Sequence, residues 1–294
     1  MMVAAMDWRY YEAKVDSDVM RTGDSGAIED EKSTDPVIKA RGVDFMRQLR
    51  NGKGYLHGVD RKGQPISCVR VRLHKPFEQK TENLERFIIY LIETGRFALD
   101  PPVETCCLIF DLTGFTLANM DYVPLKFIIK CFEANYPESL GYILIHNAPW
   151  VFKSIWGMIR GWLDPVVANK VNFTYSREDL EVFIAPDQLI KELGGDEDWE
   201  YNYIEPVAGE NDLMKDEKGK EAVMAERNEI ADKFEAVTRK WVATAPGPEA
   251  DKLKQEREEL AKLARTSYWK LDPYVRARSM YDREGSICGG AKAN

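Results

Sequence analysis

The feature that most constrains the fold is an alternation of apolar runs and amphipathic segments between residues 81 and 184. The run "TCCLIFDL" at 105–112 is apolar almost throughout, as expected of a strand that is covered on both faces of a sheet. Two similar runs follow at 141–148 and 171–175. Residues at helical spacing occupy the intervening segments, which predicts helices at 81–99, 121–135, 149–163 and 176–184. Strands that alternate with helices predict a mostly parallel sheet in an α/β layer fold.

Upstream of these elements, the sequence "GYLHGVDRKGQPISCVRVRL" predicts two short strands joined by a hairpin turn at "RKGQ". In the second strand, apolar residues alternate with Arg70, Arg72 and His74, and Lys75 follows, so one face is basic. This basic face has two interpretations. It is either an exposed sheet edge, or a membrane-facing surface on which each cation contributes about 1 kcal/mol of attraction to anionic lipids.

The two ends of the chain differ from the middle. Residues 2–15 and 36–50 are predicted helices, and the polar sequence between them, "DSDVMRTGDSGAIEDEKSTDP", predicts a long loop. After residue 206, two amphipathic helices separated by "ATAPGPEA" predict a solvated helical hairpin. We therefore expect an N-terminal segment, a central domain and a helical extension, with the bounds 1–50, 51–206 and 207–294.

Composition excludes several classes of function. The net charge of −8 and a pI near 5.2 argue against nucleic-acid binding, which needs a cationic surface. The apolar head of the N-terminus is too short for a signal peptide because Asp7 interrupts it. The cysteines are odd in number and lack the density of a disulfide scaffold, which favours a reducing cytoplasm; they are Cys68, Cys106, Cys107, Cys131 and Cys288.

Motifs for catalysis and metal binding are absent from the sequence. It has no G-x-S-x-G elbow, no P-loop and no Rossmann glycine fingerprint. The tetrapeptide "GDSG" at 23–26 matches a serine-protease nucleophile loop, but none of the three histidines stands in a protease context, so we interpret the match as coincidence. The histidines and cysteines lack metal-ligand spacing. We expect neither an enzyme nor a metal or other cofactor.

The segment 140–171 is unusually apolar, with charges only at Lys153, Arg160, Asp164 and Lys170. Its longest uncharged run is shorter than the about twenty apolar residues that a membrane span needs. The predicted helix within it carries three tryptophans. Periodicity alone favours a helix packed between the sheet and another helix. Indoles at this density also suit a helix that contacts lipid inside and a membrane outside.

The order of short motifs through the central region resembles the CRAL-TRIO lipid-binding domain, and most of all its fungal phosphatidylinositol transfer proteins. The motifs are "DL" at 111–112, "NYPE" at 135–138, "NAPW" at 147–150, "LDP" at 163–165 and "LGG" at 193–195. The resemblance implies a sheet and helices around a single apolar lipid pocket. It also implies that the predicted helix 149–163 is a gate whose apolar side chains contact the acyl chains, namely Trp150, Phe152, Ile155, Trp156, Ile159 and Trp162.

The resemblance also implies a headgroup site at Glu138 and Lys170, with the lysine binding phosphate and the glutamate accepting inositol hydroxyl protons. Three positions depart from the family pattern. Val167 stands where the headgroup set has a hydroxyl residue, which weakens the match. Cys106 and Leu108 replace the two hydroxyl residues of phosphatidylcholine binders, so phosphatidylcholine exchange is not expected. Most of the helical module that precedes this domain in the family is expected to be missing.

The predicted function is phospholipid binding and transfer. Phosphatidylinositol would be the ligand, carried between cytoplasmic membrane faces during transient peripheral contact, or presented to a lipid kinase. The alternative is a carrier or sensor of a sterol or tocopherol-like ligand that acts as a membrane-trafficking adaptor through its C-terminal helices. An esterase is the third possibility, and it lacks a legible catalytic set. We expect the bound phospholipid to be the only ligand.

Overall fold

The computed structural model describes residues 2–287, so Cys288 lies outside the described residues. The chain divides between Glu205 and Pro206 into two compact units, which are described one at a time. The first contains a five-stranded sheet in the order β1-β2-β3-β4-β5. Its strands are β1 Gly54–Val59, β2 Pro65–Arg70, β3 Cys106–Asp111, β4 Leu140–His146 and β5 Val171–Thr174. Only the β1–β2 pair is antiparallel, which confirms the predicted α/β fold with a mostly parallel sheet.

Eight α-helices of the first unit lie among the described residues and agree with most predicted segments. They are α1 Met2–Asp7, α2 Met20–Glu31, α3 Pro36–Arg50, α4 Thr81–Phe97, α5 Tyr122–Lys130, α6 Phe152–Arg160, α7 Pro165–Ala168 and α8 Arg177–Glu181. Helix α3 begins where expected because the Asp35 carboxylate accepts hydrogen bonds from the amides of Val37 and Ile38, at 2.7 and 3.2 Å. Pro36 then occupies the first helical position.

The register of the sheet sorts its side chains into two apolar faces. Val69, Phe110, Ile145 and Phe173 are paired across the four neighbouring strands, so they lie in one row on one face. The residues beside them along the strands point to the opposite face, where Cys68, Ile109 and Leu144 pack against α8. Both faces are apolar, which explains why β3 and β4 read as continuous hydrophobic runs.

The prediction of a long loop at 16–36 is wrong, because most of this segment is helical. A π-helical turn spans Val15–Val19, and α2 follows it with a kink at Gly23. Val15, Val19 and Met20 are buried against α3 and α4. Their spacing is helical, but the glycines and acidic residues between them hide the pattern.

The acidic side chains that gave this segment its loop-like composition are held by arginines on neighbouring helices. Asp18 accepts from Arg86 at 2.6 Å, Asp30 accepts from Arg41 at 2.7 Å, and Glu31 accepts from Arg50 at 2.8 Å. Because these partners lie on α3 and α4, the composition of 16–36 gave no sign of them. The pairs attach α2 to the helices that pack on the sheet.

The prediction that Arg70 and Arg72 lie on an exposed edge is wrong. β2 is an internal strand, and it ends at Arg70, after which Val71–Leu73 form a 3-10 turn. Arg70 is only 8% exposed; its guanidinium donates to Glu192 and, at 3.1 Å, to the carbonyl of Gly52. This arginine is therefore not available to face a membrane.

Arg72 is partly exposed, and both of its terminal nitrogens are engaged. It donates to Asp111 at 2.8 Å and to Glu192. Burial alone would raise the pKa of Glu192, but the hydrogen bonds from Arg70 and Arg72 outweigh it and lower that pKa. The two arginines join the ends of β2 and β3 to the segment that carries Glu192, which is a structural role.

The second unit contains the helical hairpin that the sequence predicts. In its described residues this unit has α9 Glu217–Ala243, α10 Pro248–Val275 and α11 Met280–Glu284, and the first two form the hairpin. The guanidinium of Arg257 lies 5.2 Å from the ring centre of Phe234 and 4.7 Å from that of Trp241, joining α10 to α9. Near the end of α10, Arg276 is buried between Asp272 and Asp282, each 2.7 Å away.

Candidate functional site

A large apolar cavity lies on the sheet face that carries Val69, Phe110 and Ile145. It contains about 1260 Å³ of space that no protein atom fills, including the part that is open to solvent. The sheet forms one wall, α4 and α5 form two others, and α6 covers the side over β4 and β5. The wall residues are almost all apolar, so the cavity suits a hydrocarbon ligand better than a polar metabolite.

A second cavity adjoins the first on the same face of the sheet, with about 730 Å³ of space that no protein atom fills, including the part that is open to solvent. Six side chains border both cavities: Val69, Ile88, Leu91, Phe110, Ile128 and Phe132. The first cavity reaches the carboxyl ends of the parallel strands, at Leu112. The second reaches their amino ends, at Cys106 and Ser139. The two cavities therefore extend along the length of the strands, and we call them together the hollow.

Helix α6 forms one wall of the hollow, and its residues separate into a buried and an exposed face. Phe152, Ile155 and Ile159 are buried, and Trp156 lines the cavity beside them. Lys153, Ser154, Gly157, Met158 and Arg160 are exposed. Helix α6 is shorter than the predicted 149–163, and it presents one face to solvent. Because Lys153, Gly157 and Arg160 are exposed, the interpretation of a helix packed between the sheet and another helix is wrong for the part of the chain that the structure describes.

The three tryptophans of this segment have different environments. Trp150 precedes α6 and is 84% exposed. Trp156 contacts Phe173 of β5 edge-to-face, with ring centres 5.3 Å apart. Trp162 follows α6 and lies against two residues of α5, with Tyr122 at 5.5 Å and the ammonium of Lys126 at 4.7 Å. Trp162 thus connects the end of α6 to α5, while Trp150 stands free at its beginning.

Glu138 and Lys170 lie near each other at the amino ends of the parallel strands. The Lys170 ammonium donates to the carbonyl of Leu140 at 2.6 Å, which brings it to the start of β4, two residues after Glu138. Glu138 is exposed and has a positive φ of 60°. No ion pair joins Glu138 to Lys170 in the part of the chain that the structure describes. Neither borders the hollow, although Ser139 does. Their headgroup role stays a prediction.

The residues that depart from the family pattern border the hollow. Val167 lines the first cavity, and Cys106 and Leu108 line the second. Burial raises the pKa of the Cys106 thiol to about 11, so it behaves as a small hydrophobic group at neutral pH. The hollow is therefore apolar at Cys106 and Leu108, the two positions where the family resemblance implies hydroxyl residues in phosphatidylcholine binders.

Sequence reasoning missed a polar cluster at the opposite end of the hollow. Lys53, His74, Asn119 and Asp121 line the first cavity where the parallel strands end. The Lys53 ammonium lies 3.4 Å from Nδ1 of His74, whose Nε2 lies 3.2 Å from a carboxylate oxygen of Asp121. The Asn119 amide donates to the carbonyl of His74 at 2.9 Å. These residues come from three connections of the chain, with Asn119 and Asp121 in the same one, and they match no motif, so only the packed structure shows that they lie together.

The family model described as "CRAL/TRIO domain" matches residues 49–195. The chain belongs to the CRAL/TRIO domain family. The matched CRAL/TRIO region contains the whole sheet and every side chain that borders the hollow. No helix among residues 2–287 combines the length and apolar character that crossing a membrane requires.

Two fungal relatives of this CRAL/TRIO chain are long enough to align outside the domain. A CRAL-TRIO domain-containing protein of Schizosaccharomyces pombe is 45% identical over 83% of this chain and 54% of its own length. Phosphatidylinositol transfer protein CSR1 of Eremothecium gossypii is 40% identical over 98% of this chain and 64% of its own length. The chain thus spans less than two thirds of either relative.

Among solved structures, the chain is similar to the one titled "Crystal structure of Sfh5". The two are 18% identical with a TM-score of 0.40, over 60% of this chain and 70% of that chain.

Proposed function

We propose that this protein binds one phospholipid, phosphatidylinositol in the first instance, and carries it between cytoplasmic membrane faces. The observation that carries the proposal is the hollow, an apolar space extending along the sheet and walled by α4, α5 and α6. The printed name of the Eremothecium gossypii relative, a phosphatidylinositol transfer protein, supports the choice of ligand. The same lipid could be presented to a lipid kinase or a trafficking partner.

The energetics of lipid extraction require such a hollow. Burying one CH₂ group contributes about 0.8 kcal/mol, so a two-chain lipid of roughly thirty such groups carries about 25 kcal/mol of transfer free energy. The lipid can leave the bilayer only where contacts with the protein supply nearly all of this free energy. An apolar wall of leucine, isoleucine, valine and phenylalanine side chains supplies the necessary contact.

Helix α6 is the proposed gate of the hollow. Its buried face contacts the cavity, and its exposed face leaves it free of packing on the outer side. Asn147, just before it, has a positive φ of 53°, a conformation that few residues adopt and that often marks functional sites. The exposed indole of Trp150 suits insertion at a membrane interface. The gate would open where Trp150 meets the bilayer.

Glu138 and Lys170 are the proposed headgroup residues in this scheme. Both stand at the end of the hollow that Ser139 borders, within reach of a headgroup emerging from the second cavity. Lys170 would exchange its bond to the Leu140 carbonyl for a charge-assisted bond to phosphate. No bond in the substrate is made or broken, so the proposed protein is a carrier and has no catalytic role.

A transfer assay between two liposome populations tests the proposal. Unaltered protein should move phosphatidylinositol faster than phosphatidylcholine, because Cys106 and Leu108 offer no hydroxyl to a choline headgroup. Lys170→Ala should slow phosphatidylinositol transfer about tenfold, by the loss of one charge-assisted hydrogen bond. Lys153→Ala, on the exposed face of α6, is the matched control and should leave headgroup selectivity unchanged.

Three outcomes would count against this reading. Transfer of neither phospholipid would refute phospholipid transport and favour a sterol or tocopherol-like ligand. Equal losses for both lipids in Lys170→Ala would show that this lysine does not select the inositol headgroup. Steady hydrolysis of the lipid would show an enzyme.

A further inference from the structure

The first cavity has a small polar group of residues where the parallel strands end, and it includes one lysine, Lys53. Lys53 immediately precedes β1, and its carbonyl accepts from the amide of Arg70 at 2.8 Å, which places it at the carboxyl end of β2. The side chain is buried, at 5% exposure, and borders the first cavity. Lys170 stands at the other end of the strands. The hollow therefore has one lysine at its border and another beyond its opposite end.

The Lys53 ammonium is incompletely neutralised. Across residues 2–287, no carboxylate oxygen lies within 4.0 Å of it, and its hydrogen-bond partner is Nδ1 of His74 at 3.4 Å. An ammonium carries three donors, so two remain for another acceptor. A buried cation without a paired anion is costly, and burial lowers the pKa of Lys53 to about 8.

The neighbouring residues fix the orientation of this cation. Because an ammonium only donates, Nδ1 of His74 accepts and Nε2 carries the proton that is donated to Asp121. The Asp121 carboxylate is held in turn by the amide of Val123, at 3.0 Å, at the start of α5. Asn119 ties the same loop to the carbonyls of Arg72 and His74. The hydrogen-bonded series from Asp121 through His74 to Lys53 is therefore anchored at the start of α5 and at the segment after β2.

We propose that Lys53 is an oxyanion-binding residue, and that the hollow binds an amphiphile whose carboxylate or phosphate lies against Lys53 with its chains along the sheet. This inference rests on the proposed lipid-carrying function. Lys53 and Lys170 lie at opposite ends of the strands, so a ligand held at Lys53 is bound in place of a phospholipid whose headgroup lies at Lys170. Two sources share the chemistry: the carboxylate of a fatty acid and the phosphate of a phospholipid. His74 and Asp121 are positioning residues, since they act on the ligand through Lys53.

The test compares charged and neutral ligands of equal chain length. Binding of oleate against methyl oleate, and of phosphatidylinositol against a diacylglycerol with the same chains, is measured for delipidated protein by native mass spectrometry. Lys53→Met keeps the length of the side chain and removes its charge. It should weaken binding of an anionic ligand about tenfold or more, with its neutral counterpart unchanged. Lys53→Arg should restore binding. Lys75→Met, in the exposed part of the loop after β2, is the control and should behave as unaltered protein.

The two sources give different results. A loss confined to oleate identifies a carboxylate ligand, and a loss confined to phosphatidylinositol identifies a phosphate ligand. No loss for either anionic ligand, or equal losses for the charged and neutral members of a pair, would overturn the proposal. If Lys53→Met fails to fold, binding to the unaltered protein tests the proposal instead. It should prefer oleate to methyl oleate or phosphatidylinositol to diacylglycerol, and a solved complex should show the oxyanion within hydrogen-bond distance of the Lys53 Nζ; absence of either overturns the inference.

The test also separates this inference from the proposed transport function. Binding of oleate that depends on Lys53, without any phospholipid transfer between liposomes, would sustain the oxyanion site and refute phospholipid transport. Transfer of phosphatidylinositol that depends on Lys170 and not on Lys53 would support phospholipid transport and refute the oxyanion site at Lys53.

Discussion

One face of the central sheet lies against α8 and the chain that follows it, whereas the other faces α4, α5 and α6. Side chains from the same strands supply both faces. Ile109 and Leu144, on the first face, have no exposed surface, while Ile143 and Ile145 on the second keep 8% and 6%. The second face borders the hollow, so the difference comes from what covers the strands. The continuous apolar runs of the strands indicate that both faces are covered, and the elements that pack on each face determine whether the space there is filled.

The largest expected effect of this contrast is on stability. Leu144→Ala removes a side chain from close packing and should lower the free energy of unfolding by about 2–5 kcal/mol, the transfer term plus the cost of a new cavity. Ile145→Ala, the next residue in β4, enlarges a space that already exists, so it should cost about half as much. Denaturant unfolding of both variants measures the difference. Equal losses would mean that the two faces are packed alike.

The second effect is on ligand occupancy. Ile128 of α5 borders both cavities, so Ile128→Trp should fill the space between them and lower bound lipid about tenfold with little loss of stability. The same replacement on the filled face, Ile109→Trp, has no space to enter and should destabilise the fold by about 1–3 kcal/mol or more. Lipid extraction and thermal unfolding of the two variants give the comparison. Full lipid content in Ile128→Trp would place the ligand elsewhere.

The smallest effect concerns the attachment of the gate. Lys126 lies over the ring of Trp162 and connects the end of α6 to α5. Lys126→Met removes this cation–π contact, which contributes about 0.5–1 kcal/mol at an exposed site, and should speed lipid release about two- to fivefold. Stopped-flow release of a fluorescent lipid measures the rate, and Lys130→Met at the end of the same helix is the control. Unchanged release would show that α6 is held by its buried face alone.

Much of the sheet and its helices could be predicted because their signals are local. The apolar runs of β3 and β4, and the helical spacing in α4, each lie within a short window of sequence. The segment 16–36 was predicted wrongly because its acidic residues pair with arginines of α3 and α4. The segment has a composition that suits a loop, but it is helical because these partners neutralise its acidic side chains.

The candidate site was less predictable because its polar groups come from distant parts of the chain. Arg70 looked like a surface cation because its partner Glu192 follows the last strand. Lys53, His74 and Asp121 precede or follow different strands, and only the sheet brings them to one cavity wall. Trp150 and Trp156 read alike in the sequence, yet one is exposed and the other lines the hollow. The spacing of apolar residues predicted helix α6, but only the packed structure shows which of its faces is buried.

The hollow on one face of the sheet is the proposed site of a bound lipid. Native mass spectrometry of the freshly purified, unaltered protein can detect that lipid. We expect a complex with one phospholipid per chain, and the same preparation of Ile128→Trp should show mainly the bare chain. A protein that purifies without lipid and takes up none from vesicles, or an Ile128→Trp variant that retains its full complement, would mean that the hollow does not hold a lipid.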